Sequence, residues 1–431
     1  MGNGGAGRWS SAVRPAAPGS RTTWLELFYD LVFVFAFLSV TTLTASETNP
    51  ANLYRFLLVL TLLWWSWTGF ARLGNAFRAD QGVLPLVGFV TVAATFLLVL
   101  GVPDAFGDLP GSLTFAGCYY VIRMAQLTVF GWVDFADPAR RRGFLLRALM
   151  PTVATALLVV AGVVASRLPQ ERVAVGLQLA LWTLAVLVEY VGGVRLARRW
   201  WGVLSAGHWA ERHALMVLIA LGESIIALGI GPKQGLPITA PVLVAALLGV
   251  VVVAALWWAY FDTLAFALEQ ALHQARDEAT RVRLARDVYT FLHLPMILGI
   301  ILYALSLKDL LAEAARPETP AWGPPLGTLW ALILFGGVAL HLLGVAACWW
   351  LAVREVHRAL LVTVAALAVV GPLVSWLPDL VALGALAVVT TCGVVWETRG
   401  EGGRRRQVRQ LALAEQLAAE AEQSRWRRRH L

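Results

Sequence analysis

Two carboxylates four residues apart, Glu26 and Asp30, lie in the stretch WLELFYDLVFVFAF. A further acid, Glu223, lies deep in HWAERHALMVLIALGESIIALGIG, behind Glu211, Arg212 and His213. Both stretches are apolar enough to sit in a bilayer, where an ionised side chain is costly unless a partner answers it. Acids and bases kept there do one of two things. They hold protons or cations along a path through the helices, or they pair with one another and fix helix packing. At a spacing of four, Glu26 and Asp30 share one helix face, about 6 Å apart. Glu26 stands near the cytoplasmic interface beside Trp24, an ordinary place for an acid. Asp30 is a turn deeper, among Phe28, Phe33, Phe35 and Phe37. An arginine such as Arg72 or Arg212 is the expected structural partner for one of these acids.

Arg212 and Glu223 are eleven apart in sequence, which returns them to within about 20° around a helix and separates them by about 16 Å along it. They share a stripe without touching. Glu223 therefore needs another partner. Arg123, in CYYVIRMAQLTVF, matches it in depth, so a Glu223–Arg123 pair is expected; unpaired, Glu223 would be a proton carrier. His208, Glu211 and His213 are metal-ligand types, but on a helix His213 lies well round from Glu211, and neither a cysteine nor an HExxH pattern joins them. No metal or cofactor is expected. His293, His341 and His357 are single histidines that read as hydrogen-bonded core groups. The pairs Trp64-Trp65 and Trp257-Trp258 could cage a cationic ligand, although interfacial anchoring or core packing explains them more simply. Glycine-rich phosphate loops and nucleophile elbows are missing from the sequence, which argues against an ATP-driven pump in this chain alone.

The elements that must position these residues are membrane helices. Of 431 residues, 58% are hydrophobic and 14% charged, and the mean hydropathy is +0.68; a soluble domain carries about 25% charge. Continuous apolar runs of about 20 residues fit spanning helices and not the alternation of a barrel. Twelve spans are expected, near 25–45, 53–71, 84–102, 111–133, 147–166, 173–193, 209–231, 239–262, 286–305, 326–350, 357–375 and 379–397. Arginines crowd alternate connections: Arg72 and Arg78, Arg140 to Arg142, Arg195 to Arg199, Arg276 to Arg286, then Arg354 and Arg358. This places both termini in the cytoplasm. The net charge of +8 is then an orienting charge, and nucleic acid is not expected as a partner. Cys118, Cys348 and Cys392 all fall in apolar runs and read as small buried residues.

Several matches recur in the same order in the two halves. RALMPTVA at Arg147 answers RALLVTVA at Arg358, Leu84-Pro85 answers Leu294-Pro295, and the paired tryptophans answer each other. Glu189 answers Glu397, and Glu26 answers Glu211. The reading is an all-α bundle of six plus six helices with the same topology in each half. Its parts are a disordered cytoplasmic tail without a signal peptide at 1–23, a first repeat at 24–193, a linker at 194–208, a second repeat at 209–397 and a basic, partly helical tail at 398–431. Anionic lipid headgroups are the expected partner of that last tail, through its arginines.

Two motifs together are similar to the bacterial low temperature requirement protein A family: Trp24 through Val34, and Glu211-Arg212-His213 running into Leu221-Gly222-Glu223-Ser224. The resemblance implies a multi-pass bacterial inner-membrane protein associated with growth in the cold, with Glu26, Asp30, Glu211, Arg212 and Glu223 as signature positions. The preferred functional reading is a secondary transporter or permease rather than an enzyme, with Asp30, Glu223 and Arg123 lining a charged central site and protons as the coupling ion. The alternatives are a lipid-modifying membrane enzyme, using Glu211 and His213 at the cytoplasmic face, or a sensor or scaffold of the bilayer state.

Overall fold

In the computed structural model the apolar runs are helices. The structure describes residues 22–107, 109–134, 138–197, 202–233, 238–316, 318–320, 322–400 and scattered positions from 410 to 428, which are helical. The expected disordered tail at 1–23 lies almost wholly outside the described residues. Among these residues ten helical stretches are long and apolar enough to cross a membrane, and two more apolar helices are shorter. No strand occurs among them.

The chain divides into two compact units, residues 1–223 and 224–431. The first holds α1 (Trp24–Ser46), α2 (Pro50–Ala76), α3 (Leu84–Leu100), α4 (Leu109–Asp134), α5 (Pro138–Arg167), α6 (Glu171–Ala197) and most of α7 (Ala206–Lys233). The helix starts are written locally. Thr23 and Glu26 form a capping box at α1, and Asn49 caps α2 just before Pro50, so orphan N–H groups are met or removed. α2 packs against α1, α4 and α6. Its apolar window is 89% buried, against 28% for α5 and for α6, which makes α2 the inner post of this unit and the other two its outer wall.

The second unit holds the rest of α7, then α8 (Ala240–Phe261), α9 (Leu264–His273), α10 (Glu278–Leu284), a π-helical turn (Ala285–Leu292), α11 (His293–Ala314), α12 (Thr328–Val353), α13 (Arg358–Leu373) and α14 (Asp379–Gly400). The π turn stands just before Pro295, whose missing N–H cannot continue an α-helical ladder. α11 and α12 form the interior. They approach closely because Gly299 and Gly337 face each other: a Cβ on either would overlap the backbone carbonyl of the other.

The reading of the cysteines needs correction, and two other features gain detail. The third and eleventh apolar runs give helices of only 17 and 16 residues, α3 and α13, since the chain turns at Gly101 and at Pro372-Leu373. Of the cysteines only Cys348 is buried; Cys118 is half-buried and Cys392 exposed, because an apolar residue of a membrane helix is equally at home facing lipid. The two tryptophan pairs also differ, with Trp64 and Trp65 buried but Trp257 and Trp258 about 40% exposed.

The glycine contact gives a test with an internal control. Gly299→Ala or Gly337→Ala should overpack the α11–α12 crossing and cost about 1–3 kcal/mol, read as a lowered melting temperature in detergent. Gly336→Ala, one residue away with open space at its Cβ position, should leave the melt unchanged or slightly raised.

Candidate functional site

α2 organises the charges of the first unit. Trp65 and Trp67 are two residues apart, so about 200° separates them around the helix and their indoles reach opposite sides. Trp67 Nε1 donates to Asp30 Oδ1 at 2.8 Å. Asp30 Oδ2 lies 2.9 Å from Arg212 Nη1, and the Arg212 guanidinium lies 5.6 Å from the Trp67 ring centre. On the other side Trp65 Nε1 donates to Glu189 Oε2 at 2.9 Å. Arg123 forks onto the same carboxylate through Nε at 3.2 Å and Nη2 at 3.1 Å, with its guanidinium 5.8 Å from the Trp65 ring. Each indole thus gives its N–H to an acid and its π face to the base that neutralises that acid.

The Arg123–Glu189 cluster is closed. Tyr119 adds a hydroxyl to Glu189 Oε1 at 2.8 Å, and Gln126 takes Arg123 Nη1 at 3.0 Å while donating to Ser66 O at 2.8 Å. Gly69 leaves room for this arrangement, since a Cβ there would overlap Gln126 and Arg123. Arg123 is therefore the partner of Glu189, not of Glu223. Matching by depth could not see that Glu189, at the far end of its apolar run, turns inward.

Glu26 is fully buried. Its Oε2 accepts from Thr23 N and Oγ1, both at 2.9 Å, and its Oε1 is 3.0 Å from His208 Nε2. The tautomer of His208 follows from Asn75. The Asn75 Oδ1 accepts from Leu204 N at 2.9 Å and its Nδ2 donates to Ser205 O at 2.7 Å, so the amide cannot be flipped. Its second N–H then faces His208 Nδ1 at 3.4 Å, which must accept, leaving Nε2–H to donate to Glu26. Gly74 lies against this carboxylate, and a Cβ there would overlap it.

Glu223 is fully buried, and its Oε1 lies 2.9 Å from Thr41 Oγ1. Thr41 Oγ1 is also 2.8 Å from Phe37 O. His213 donates through Nδ1 to Trp209 O at 2.8 Å, and its ring packs among Trp64, Trp67 and Trp209. Glu211 is exposed and accepts from Thr22 N and Oγ1 at 3.2 and 2.8 Å. His208, Glu211 and His213 thus face three different surroundings. Among the described residues no group of three or more His, Cys, Asp or Glu could hold a metal ion.

In the second unit His293, His341 and His357 are hydrogen-bonded in the core. His293 donates through Nδ1 to Val288 O at 3.0 Å and accepts from the Tyr260 hydroxyl at 2.9 Å. His341 Nδ1 meets Met296 O at 3.2 Å. His357 Nδ1 meets Glu397 Oε1 at 3.1 Å, with its ring stacked on Trp349.

Apolar helices around buried, indole-braced ion pairs define a multi-pass helical membrane protein. The chain belongs to the bacterial low temperature requirement A protein family, whose profile matches residues 21–395. It is similar to uncharacterized protein RA0937 of Rhizobium meliloti (strain 1021), 27% identical over 340 residues that cover 75% of this chain and 76% of that one. No solved structure matches it.

The relocated pair predicts where coupling is found. Arg123→Ala and Glu189→Ala should each cost about 3–5 kcal/mol by stranding a buried charge, and the double variant should cost clearly less than their sum. Arg123→Ala combined with Glu223→Ala should be near additive. Denaturant or thermal unfolding of the three single and two double variants in detergent reads both cycles; strong coupling of Arg123 to Glu223 instead would contradict this geometry.

Proposed function

We propose that this protein is a proton-linked secondary carrier of the bacterial inner membrane. In this reading it has twelve spans in two halves of like topology, both termini in the cytoplasm, and a basic C-terminal segment that meets anionic headgroups. The alternation of arginine-rich connections supports the orientation, and the shorter helices α3 and α13 supply the two spans beyond the ten long ones. Glu26, Asp30, Arg123, Arg212, His213 and Glu223 form the charged and polar interior of residues 1–223, with Glu211 at its exposed rim.

The observation that carries the reading is the position of the Thr41 hydroxyl. It lies 2.8 Å from Phe37 O, 3.1 Å from Leu38 O and 2.9 Å from Glu223 Oε1, and it has one hydrogen to give. If that hydrogen goes to Glu223, the acid accepts as a carboxylate. If it goes to Phe37 O, Glu223 keeps a bond to Thr41 by donating a proton of its own. The same heavy-atom geometry serves both protonation states, and the change between them is a hydroxyl rotation. Asp30 and Glu189, by contrast, are each tied to a guanidinium and an indole N–H. In this reading Glu223 is the proton-exchanging member, and the paired acids hold the helices around it.

Infrared difference spectra between acid and alkaline pH should contain a protonated-carboxyl band that disappears in Glu223→Gln and shifts in Thr41→Val. In proteoliposomes under an imposed pH gradient, with solute pools screened outside, the wild type should show solute-dependent proton movement that Glu223→Gln slows at least tenfold. Spectra unaltered by Glu223→Gln, or no proton movement with any pool, would overturn the proposal.

A further inference from the structure

A cavity of about 380 Å³ opens at the other end of α1 from Glu26, between the α1–α2 and α3–α4 connections of the first unit. Its volume falls in the range of small-molecule sites. Leu43, Phe56, Val102 and Phe106 are among its apolar walls, and Thr44, Glu47, Asn52 and Arg55 are its polar lining.

The polar groups are arranged rather than scattered. Asn52 donates through Nδ2 to Glu47 O at 2.8 Å and accepts from Arg55 Nη1 at 3.0 Å, so one amide holds both charged residues in place. The Arg55 guanidinium lies 5.3 Å from the Phe106 ring centre. Its Nε is buried and makes no hydrogen bond among the described residues. With Nη1 taken by Asn52 and Nε covered, Nη2 is what Arg55 offers, a charge-assisted donor to an oxygen of a carboxylate. Thr44 gives its hydrogen to Val40 O at 2.8 Å, which leaves it an acceptor. Glu47 is an exposed acid on the same lining. Cation and anion together leave the site with no net charge. A simple anion would meet repulsion from Glu47 and a simple cation repulsion from Arg55; a ligand bearing both charges meets neither.

The far wall is fixed in advance. Phe106 stacks on Trp182 with centroids 4.2 Å apart, and Trp182 also packs on Phe115. Buried Gln178 donates to Phe106 O at 3.2 Å, and Ser112 donates to Ala105 O at 2.9 Å. A connection tied down in this way keeps its aromatic face in place before any ligand arrives, which lowers the ordering cost of binding.

We propose that this cavity binds a small zwitterion with an apolar body, of amino-acid size, its carboxylate on Nη2 of Arg55 and its ammonium toward Glu47 and Thr44. By the arginine pattern of the connections the site faces away from the cytoplasm. Binding here does not depend on the carrier reading, although α1 carries both Thr44 at the cavity and Thr41 at Glu223 one turn below.

The test is isothermal titration of the full-length protein in detergent, with no gradient. The probes are L-leucine and L-phenylalanine, each beside its deaminated acid (4-methylpentanoate, 3-phenylpropanoate) and its decarboxylated amine (3-methylbutylamine, 2-phenylethylamine). The expected order of affinity is amino acid, then acid, then amine. Arg55→Gln should weaken the amino acids and acids at least tenfold. Glu47→Gln should remove the advantage of the amino acid over its acid, and Leu43→Trp, which fills the cavity without touching a charge, should abolish binding. Unchanged melting temperatures would show that the variants fold. No binding by any amino acid or acid, equal affinity for amino acid and acid in the wild type, or affinity indifferent to Arg55→Gln and Leu43→Trp would overturn the proposal. Failure of the proteoliposome experiment alongside these expected titrations would remove the carrier reading and leave the binding site standing.

Discussion

A charge enclosed by apolar helices has to be answered within the protein, and in residues 1–223 that requirement governs which helix faces which. Asp30 on α1 must meet Arg212 on α7, and Arg123 on α4 must meet Glu189 on α6. Neither pair is close in sequence, so each closes a long loop of chain. α2 stands where both can be served by one helix, with Trp67 turned to one pair and Trp65 to the other. Hydrophobic burial cannot impose such an order on membrane helices, because lipid is as apolar as a neighbouring helix. Specificity then comes from polar groups that have one correct partner and from close approach at small residues. Gly69 and Gly74 on α2 supply the second part, giving the Arg123 cluster and the Glu26 carboxylate the space a side chain would fill.

The helical class, the apolar runs and the charged positions could be read from the sequence because each is local. An apolar stretch of spanning length announces itself, and a carboxylate inside one stands out. Arg212 was identifiable as a partner for one of the acids of α1. The pairing of Arg123 was not, since it depends on which way Glu189 turns at the end of α6, and rotation about a helix axis is set by neighbours. Nor was His208 legible as the partner of Glu26: the two lie 182 positions apart, and their contact needs Asn75 to fix the imidazole tautomer. The tryptophans were visible as a cluster, but an aromatic pair in a membrane helix fits an interface, a core or a hydrogen-bond donor equally well until its surroundings are known.

The two units answer their buried polar groups differently. The first keeps Asp30–Arg212 and Arg123–Glu189 as ion pairs. The second buries His293 and His341 with backbone carbonyls as partners and sets His357 against Glu397. Where the sequence repeats its tryptophan pair, α8 carries Tyr260 three residues beyond Trp257, as α2 carries Trp67 three beyond Trp64. Tyr260 gives a hydroxyl to a histidine, whereas Trp67 gives an indole N–H to an acid. A hydroxyl can donate or accept and an indole can only donate. The second arrangement is therefore tolerant of its partner's protonation, and the first selects a carboxylate.

The same distinction separates the acids within the first unit. Asp30 and Glu189 are each tied to a guanidinium and an indole N–H. A hydroxyl can turn to donate or accept. Thr41 stands between a carbonyl and Glu223, with comparable distances to both, and its donor can turn to either without moving a helix. In the proposed reading, exchange at Glu223 asks for a rotation of the Thr41 hydroxyl. A protein that is to change its proton content while keeping its fold has reason to separate these tasks, holding its helices with arginine and indole at one set of acids and reading the proton with a threonine at another.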